Sequence, residues 1–431
     1  MTPLSCRERL EQALARIADP KGEGSRACLT VYDGPARAAA DAADARAADG
    51  ISLGPLDGSI VSIKDLFDVA GEPTRAGSKI LADEAKPATA DAPVLRRLRA
   101  AGAVIVAKTN MTEFALGGIG ANPHFGAPGN PSDRARVPGG SSSGAAVTAA
   151  DGMCEIAIGT DTGGSVRIPA GLCGIVGFKP SRQRVPTAGA FPLSATLDSI
   201  GPLARSVADC AKADAVLSGE DFVPLEPIPL AGLRCGIAQG LPLESLDDTV
   251  SAALAAALKS LTAAGVRLTD ETLPLLDEMR EVNAYGGIVQ PEACAVHRDR
   301  IKRRAADIDP NVRVRLERGC AVSAADYFDM MQARTRLVRA MDHWLASLDV
   351  LVMPTTPIVA PTMAEVTGWE NYAARNTLVL RNTSVGNFFD LCGISLPLKA
   401  KLPVGLMLMA RNGHDRMLLR IAAAVEKALA S

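Results

Sequence analysis

The sequence predicts an α/β fold, a single large domain with a central mixed β-sheet covered by helices on both faces. Of the 431 residues, 48% are apolar, which is enough for a substantial core. Short apolar segments typical of buried strands alternate with longer segments of helical character. No internal repeat or low-complexity linker divides the chain, so we expect one domain over residues 1–431.

The strand candidates are short apolar runs bounded by glycine, proline or polar residues. Because apolar side chains fill both faces of these runs, we expect a mostly buried sheet. They comprise residues 60–69, 103–109, 154–161, 174–179, 233–238, 349–354 and 404–410.

Helices are predicted between these strands, and the N-terminal 18 residues have the pattern of a charged amphipathic helix. The region around 270–325 carries more charge and the weakest strand pattern, so we expect a helical, variable insertion at about 270–345. The other predicted helices are residues 91–101, 144–151, 205–217, 248–264, 323–347 and 415–430.

The balance of acidic and basic residues limits the kinds of molecule that the protein is expected to bind. The chain has 46 Lys plus Arg against 48 Asp plus Glu, with no long basic run. Binding of nucleic acid or of an anionic membrane is therefore not expected, and a small neutral or weakly polar ligand fits better. No secretory signal and no membrane-spanning run of about 18 apolar residues is present. A homodimer is left open.

Cysteine and histidine content indicates a cytoplasmic protein without a metal or other cofactor. The nine cysteines are odd in number and include no C-x-x-C pair, so we expect reduced thiols rather than a disulfide framework or a zinc site. The four histidines have none of the spacings typical of metal ligands. They are His124, His297, His343 and His414.

A lysine interrupts the apolar segment SIVSIKDLFDV, residues 59–69. Burial of Lys64 would lower the pKa of its ammonium group and favour the neutral amine. A neutral lysine can serve as a general base. The alternative is a lysine at a strand end that reaches water or pairs with Asp65 or Asp68.

The segment GTDTGGSVRIPAGLCG, residues 159–174, follows an apolar strand candidate. Gly163 and Gly164 allow a tight turn whose backbone N–H groups can converge on an oxyanion. Ser165 follows this pair at a predicted helix start, which suits a nucleophile. A plain helix N-cap is the alternative role for this serine.

Three consecutive serines lie in VPGGSSSGAAV, residues 137–147. Gly140, Ser142 and Gly144 satisfy the G-x-S-x-G pattern of a nucleophile elbow, which would make Ser142 the nucleophile of an α/β-hydrolase together with a later histidine. Such an elbow follows a strand, whereas the preceding residues NPSDRARVPGG have the composition of a loop. The loop-like composition of the preceding residues therefore weakens the case for Ser142 as the nucleophile.

Together, VSIKDLFDV, PGGSSSGAA and GTDTGGSVRIPAGLCGIVGFKPS resemble the amidase signature family, and weaker similarity extends over nearly the whole chain. The resemblance implies an amidohydrolase that cleaves a linear amide C–N bond through an acyl-enzyme, without a cofactor. It also implies a small-molecule amide, urea or carbamate as substrate. The glutaminase subunit of tRNA-dependent amidotransferases shares the three motifs and is the alternative function.

Carried over from that family, Lys64 is the catalytic lysine, Ser141 the bridging serine and Ser165 the acylated serine. The resemblance also implies a cis peptide bond between Gly140 and Ser141. The oxyanion hole falls on the backbone N–H groups of Thr162, Gly163, Gly164 and Ser165. Ser143 is a departure, because the family more often has glycine there, and it creates the elbow-like pattern.

Several further residues are predicted to surround this centre. Phe125, in the family-like segment GGIGANPHFG, is expected to be a wall of the acyl pocket, and His124 a loop residue. Asp161 and Arg167 are expected to clamp the nucleophile loop, with a substrate carboxylate as the alternative partner of Arg167. Four aromatic residues are candidates for the leaving-group side or the core, namely Trp369, Tyr372, Phe388 and Phe389.

Overall fold

The computed structural model describes residues 4–284 and 286–430. Within them, one mixed sheet of 11 strands forms the centre of the molecule. The strands are β1 (Cys28–Val31), β2 (Ile60–Lys64), β3 (Val104–Thr109), β4 (Ile156–Thr160), β5 (Val176–Lys179), β6 (Ile200–Ala204), β7 (Arg234–Ala238), β8 (Arg267–Glu271), β9 (Val350–Pro354), β10 (Cys392–Leu398) and β11 (Val404–Ala410).

The sheet is mixed because parallel and antiparallel blocks alternate along the order β1-β3-β2-β4-β6-β5-β10-β11-β9-β7-β8. Strand β2 lies between β3 and β4 and is parallel to both. Near the other edge, β7 lies parallel to β8 and β9. The strands between these blocks pair in antiparallel fashion. The predicted α/β class with a mixed sheet is confirmed.

Helices flank this sheet. They are α1 (Cys6–Ala18), α2 (Gly24–Ala27), α3 (Asp33–Ala48), α4 (Lys79–Glu84), α5 (Pro93–Ala100), α6 (Ser143–Ala150), α7 (Arg167–Cys173), α8 (Val207–Ser218), α9 (Asp248–Ala263), α10 (Pro274–Val282), α11 (Val289–Arg304), α12 (Pro310–Cys320), α13 (Ala324–Leu345), α14 (Trp369–Arg381), α15 (Thr383–Phe388) and α16 (Asp415–Ala430). None of the described helices combines the length and apolar character needed to cross a membrane.

The expectation that all cysteines are reduced is wrong for one pair. Helices α11 and α12 pack against each other and bring Cys294 and Cys320 to a Cα–Cα distance of 5.3 Å, where they form a disulfide. Their separation of 26 residues provides no local signal, because the contact depends on how the two helices pack. The other seven cysteines are free and buried.

The sheet topology determines where polar side chains can meet. Strands β2 and β4 are parallel neighbours, so their carboxyl ends lie at the same edge of the sheet. Lys64 is the last residue of β2 and Thr160 the last residue of β4. In open α/β sheets, ligands bind outside the carboxyl ends of such strands, and the candidate site lies there.

Candidate active site

Lys64 is fully buried at the end of β2. Its Nζ donates hydrogen bonds to Ser141 Oγ at 2.7 Å and to Thr160 Oγ1 at 2.8 Å. Burial lowers the pKa of Lys64 from 10.5 to about 7, against the opposing influence of two nearby aspartates. The alternative partner Asp65 is instead 3.3 Å from the guanidinium of Arg75. A neutral amine is therefore accessible near neutral pH.

Ser141 and Ser142 precede α6 but face different neighbours. The Gly140–Ser141 peptide bond is cis, as the family resemblance implies, and the Ser141 hydroxyl meets Lys64. The Ser142 hydroxyl instead lies 3.3 Å from the Thr160 carbonyl and 3.4 Å from the Thr160 nitrogen. The hydroxyl of Ser142 thus bonds the backbone of β4, which leaves it in a structural position.

The loop between β4 and α7 presents Ser165. Ser165 is 4% exposed and lines a cavity together with Thr162 and Gly163. The Ser142 N–H donates to the Ser165 carbonyl at 3.3 Å, which holds the two serine segments side by side. The structure therefore brings the turn of Ser165 next to the segment that carries Ser141.

Thr383 fixes the glycine pair in this loop, a contact that no sequence pattern indicates. Its hydroxyl donates to the Gly163 carbonyl at 2.7 Å. In a trans peptide the carbonyl and the following N–H point in opposite directions, so the N–H of Gly164 points away from Thr383. Gly164 has φ +133°, and a Cβ there would lie 2.0 Å from Thr383 Oγ1. Only glycine fits this position.

Asp161 and Arg167 clamp the ends of the loop. The carboxylate of Asp161 accepts two hydrogen bonds from the Arg167 guanidinium, at 3.0 and 2.9 Å, and both residues are fully buried. Burial acts to raise the pKa of Asp161, but the charge of Arg167 lowers it to about 2. Arg167 is not among the described residues that line the cavity, and its pairing supports the clamping role.

Asp198 is a further residue at this loop that sequence reasoning missed. Its carboxylate accepts a hydrogen bond from Thr162 Oγ1 at 2.6 Å and from the N–H groups of Leu193 and Ser194. Burial raises the pKa of Asp198. An aspartate two residues before β6 was the available signal, but it does not reveal that its partner is Thr162.

The cavity above Ser165 has a volume of about 430 Å³. Of the four predicted aromatic residues, Trp369, Tyr372 and Phe388 line it, whereas Phe389 is buried in the core. The wall of this cavity also contains four arginines, which no sequence pattern indicated. These are Arg280, Arg315, Arg318 and Arg381.

Phe125 does not line this cavity among the described residues, contrary to the prediction. The carboxamide oxygen of Asn122 accepts hydrogen bonds from the N–H groups of His124 and Phe125, and this turn places Phe125 half-buried elsewhere. His124 lies in the same turn, with Nε2 at 3.4 Å from Glu113 Oε2. The segment GGIGANPHFG, residues 117–126, therefore contributes Gly117 to the wall of the cavity, in place of Phe125.

A family model described as Amidase matches residues 8–419 of this chain. The chain belongs to the amidase family. Among similar proteins, the 2-amino-5-chloromuconic acid deaminase of Comamonas testosteroni is 37% identical over 405 residues, covering 92% of this chain and 87% of that protein. A glutamyl-tRNA(Gln) amidotransferase subunit from Anaeromyxobacter sp. (strain K) is 37% identical over 472 residues, with 99% and 93% coverage.

Solved structures of this amidase family have the same fold. A crystal structure of an amidase is 34% identical, with a TM-score of 0.89 over 99% of this chain and 96% of that one. A peptide amidase in complex with the competitive inhibitor chymostatin is 27% identical, with a TM-score of 0.82 and coverage of 98% and 94%. As a member of this family, the protein is a hydrolase that cleaves amide C–N bonds.

Proposed function

We propose that this amidase acts through an acyl-enzyme on Ser165, with Lys64 and Ser141 as a proton relay. Neutral Lys64 accepts a proton from the Ser141 hydroxyl, which accepts the proton of Ser165. The Oγ of Ser165 then forms a bond to the amide carbon, and the electron pair of the C=O π bond moves to the carbonyl oxygen. Collapse of this intermediate breaks the C–N bond, and the relay returns a proton to the departing ammonia or amine.

Two further steps complete the proposed cycle. Water attacks the ester carbon and gives a proton to the same relay. Collapse of this intermediate breaks the bond to Ser165 Oγ, the relay returns the proton to that oxygen, and the carboxylic acid leaves. The oxyanion formed in each half-reaction is stabilised by the backbone N–H groups of residues 162–165, which tetrahedral intermediates require. The bonds from Thr383 to Gly163 and from Thr162 to Asp198 support this role, because they hold the loop in one conformation.

The observation that carries the proposal is the 2.7 Å hydrogen bond between Lys64 Nζ and Ser141 Oγ inside the protein. Burial holds the pKa of this lysine at about 7, so an appreciable fraction of the enzyme has a neutral amine at neutral pH. A base whose pKa lies near the working pH transfers protons efficiently in both directions. The same lysine can therefore take a proton during attack and return it during departure.

Substitution of Ser165 and Lys64, with Ser142 and Ser143 as comparisons, tests the relay. We expect Ser165→Ala and Lys64→Ala each to lower kcat by about 10⁴-fold or more. The reason is that removing one residue of a catalytic unit costs about as much activity as removing the whole unit. Ser142→Ala is expected to retain activity within about tenfold, since its hydroxyl bonds the backbone of Thr160. Ser143→Gly is the matched control on the same segment. The opposite ranking of Ser142 and Lys64 would favour the elbow mechanism.

A second candidate function is the glutaminase subunit of a tRNA-dependent amidotransferase. It is favoured by relatives named as glutamyl-tRNA(Gln) amidotransferase subunits, two of which are 37% identical to this chain. Ammonia release by the purified protein separates the two functions. Hydrolysis of simple amides, ureas or carbamates without a partner supports the stand-alone enzyme, whereas activity on glutamine only in a complex supports the amidotransferase.

We further propose that the enzyme works in the cytoplasm on a small molecule, as a monomer or a homodimer. Seven free, buried cysteines support a reducing compartment, although Cys294 and Cys320 are an exception. Cell fractionation and sedimentation of the purified protein measure these two properties directly.

A further inference from the structure

Glu292, on α11, contacts the turn that precedes β6. Its carboxylate accepts hydrogen bonds from the Thr196 N–H at 3.1 Å, from the Thr196 hydroxyl and from the Ser194 hydroxyl. A fourth hydrogen bond comes from the Tyr327 hydroxyl on α13, at 2.7 Å. The helical region in the second half of the sequence thus holds residues 194–196 through one carboxylate.

Ser194 connects Glu292 with a second carboxylate, that of Asp198. The Ser194 hydroxyl donates to Glu292, while the Ser194 N–H donates to Asp198 Oδ2 at 3.1 Å. The Ser194 carbonyl in turn accepts the N–H of Asp198 at 3.0 Å. Leu193 donates a further N–H to the Asp198 carboxylate at 2.9 Å. These hydrogen bonds join the two carboxylates through one short turn.

The same turn lies against the loop that carries the nucleophile. The Thr162 hydroxyl donates to Asp198 Oδ1 at 2.6 Å, and Asp161 and Ser199 exchange backbone hydrogen bonds at 2.8 and 3.2 Å. Thr162 is the first of the four residues whose N–H groups are proposed to form the oxyanion hole. Thr162 and Leu193 both line the cavity of about 430 Å³. A continuous series of hydrogen bonds therefore runs from α11 to the proposed oxyanion hole.

The charge of Asp198 also acts on Lys64. Asp198 and Thr160 border a small cavity of about 230 Å³, and Thr160 accepts a hydrogen bond from the Lys64 amine at 2.8 Å. Burial lowers the pKa of Lys64, and the charges of Asp198 and Asp161 oppose that shift. Asp161 is paired with the guanidinium of Arg167, whereas the hydrogen bonds to Asp198 come from uncharged groups.

We propose that Glu292 and Asp198 are positioning residues, which fix the Thr162 end of the oxyanion hole and keep one negative charge near Lys64. The inference rests on the function proposed above, because it assumes a tetrahedral intermediate at Ser165. An oxyanion donor is effective only at about 2.7–3.1 Å from the oxygen, so a small displacement of Thr162 is costly. The cost falls on the transition state and not on the bound substrate.

Glu292→Gln tests the positioning role. The substitution keeps the size of the side chain but replaces one acceptor oxygen by an NH₂ group, which only donates. On butyramide, or another neutral amide that wild type hydrolyses, we expect kcat to fall by about tenfold or more and KM to change by less than about threefold. Affinity for butylboronic acid, which forms a tetrahedral adduct with a serine, should fall in parallel with kcat/KM. Asp299→Asn is the matched control, since Asp299 is an exposed carboxylate on the same helix.

Variants of Thr162 and Asp198 separate the hydrogen bond from the charge. Thr162→Val removes the hydroxyl and keeps the Asp198 charge, so kcat should fall by about tenfold or more while the pH inflection of kcat/KM is unmoved. Thr162→Ser should recover most of this loss, because it restores the hydroxyl. Asp198→Asn should instead move the inflection to a lower pH than in wild type, because the ammonium form of Lys64 loses a nearby negative charge.

The proposal is overturned by unchanged kcat in Glu292→Gln or Thr162→Val, by a loss that lies in KM alone, or by an unmoved pH inflection in Asp198→Asn. If Glu292→Gln does not fold, Thr196→Val decides instead, since it removes one hydrogen bond to the same carboxylate. We expect it to lower kcat by about threefold or more, and a kcat equal to that of wild type contradicts the inference. Full activity of Ser165→Ala would refute the acyl-enzyme, whereas an inactive Ser165→Ala together with unchanged kcat in Glu292→Gln would refute only this inference.

Discussion

At the scale of single residues, the proposed chemistry depends on a buried lysine, Lys64. Its hydrogen-bond partners are two hydroxyl groups and not a carboxylate. A lysine paired with a carboxylate keeps its proton, because the opposite charge stabilises the ammonium form. Lys64 is hydrogen-bonded to Ser141 and Thr160, while the carboxylates of Asp161 and Asp198 are engaged by Arg167 and Thr162. The two aspartates act to raise the pKa of Lys64, but burial outweighs them and lowers it.

The pH dependence of kcat/KM should report this lysine. Only its neutral form can accept a proton, and its pKa in the folded protein is about 7. We therefore expect kcat/KM for a neutral amide to rise with pH through an inflection near 7 and to level off above it. A neutral substrate is required, so that ionisation of the substrate does not contribute.

The control for this pH profile is the stability of the fold over the same range, measured by circular dichroism. A loss of structure below pH 7 would produce a similar profile without a catalytic base. An inflection near 4 to 5 with the fold intact would instead assign the ionisation to a carboxyl group. That result would contradict the role of Lys64 as the base.

At the scale of elements, local sequence patterns predicted seven of the 11 strands in the described residues. Each of the seven predicted strands contains an observed one, although β2 ends at Lys64 rather than at residue 69. Four strands were missed, β1, β6, β8 and β10. β8 is an edge strand with the polar sequence RLTDE, and β6 contains Gly201 and Pro202, so neither has an apolar run of its own.

Some residues of the candidate site could be predicted from the local sequence, and others could not. Lys64, Ser141 and Ser165 lie in glycine-rich or apolar segments whose unusual composition is visible locally. Arg315 and Arg318 lie on a charged helix, where arginine is ordinary, and only packing of α12 against α14 brings them to the cavity. Their position at the cavity is therefore a property of tertiary structure.

Helix α6 offers a test of close packing between elements. A Cβ on Gly144 would lie 2.4 Å from the Ala27 carbonyl oxygen and 2.6 Å from the Asn110 nitrogen, both backbone atoms that cannot rotate away. We expect Gly144→Ala to destabilise the protein by about 2 kcal/mol or more, despite the better helix propensity of alanine. The measurement is the free energy of unfolding in denaturant.

Gly34, on α3, is the matched control for this substitution. A Cβ at Gly34 meets no atom within 4 Å, so Gly34→Ala should be neutral or stabilise by up to about 1 kcal/mol. Equal effects of the two substitutions would show that helix propensity, and not contact with neighbouring backbone, determines the result. Such equality would contradict the close approach of α6 to the segments around Ala27 and Asn110.

At the scale of the whole molecule, the proposed active site joins distant parts of the chain. The proposed relay comes from the parallel block β3-β2-β4 and the loop that follows β4. The cavity wall comes from α10, α12 and α14, which lie in the second half of the sequence. One apolar cluster includes Ile63 on β2, Val352 on β9 and Leu408 on β11, so the two halves share a core.

This shared core predicts cooperative unfolding of the 431-residue chain. A sheet without a break between its blocks leaves no boundary at which one half could unfold while keeping its own core. We expect enzyme activity, tryptophan fluorescence and helical circular dichroism to be lost in urea with the same midpoint. The urea dependence of the unfolding free energy should exceed the value of about 1–3 kcal/mol/M that is typical of small proteins. Loss of activity well before the helical signal would indicate instead that α10–α13 unfold as a separate unit, which would make the region at about 270–345 a domain of its own.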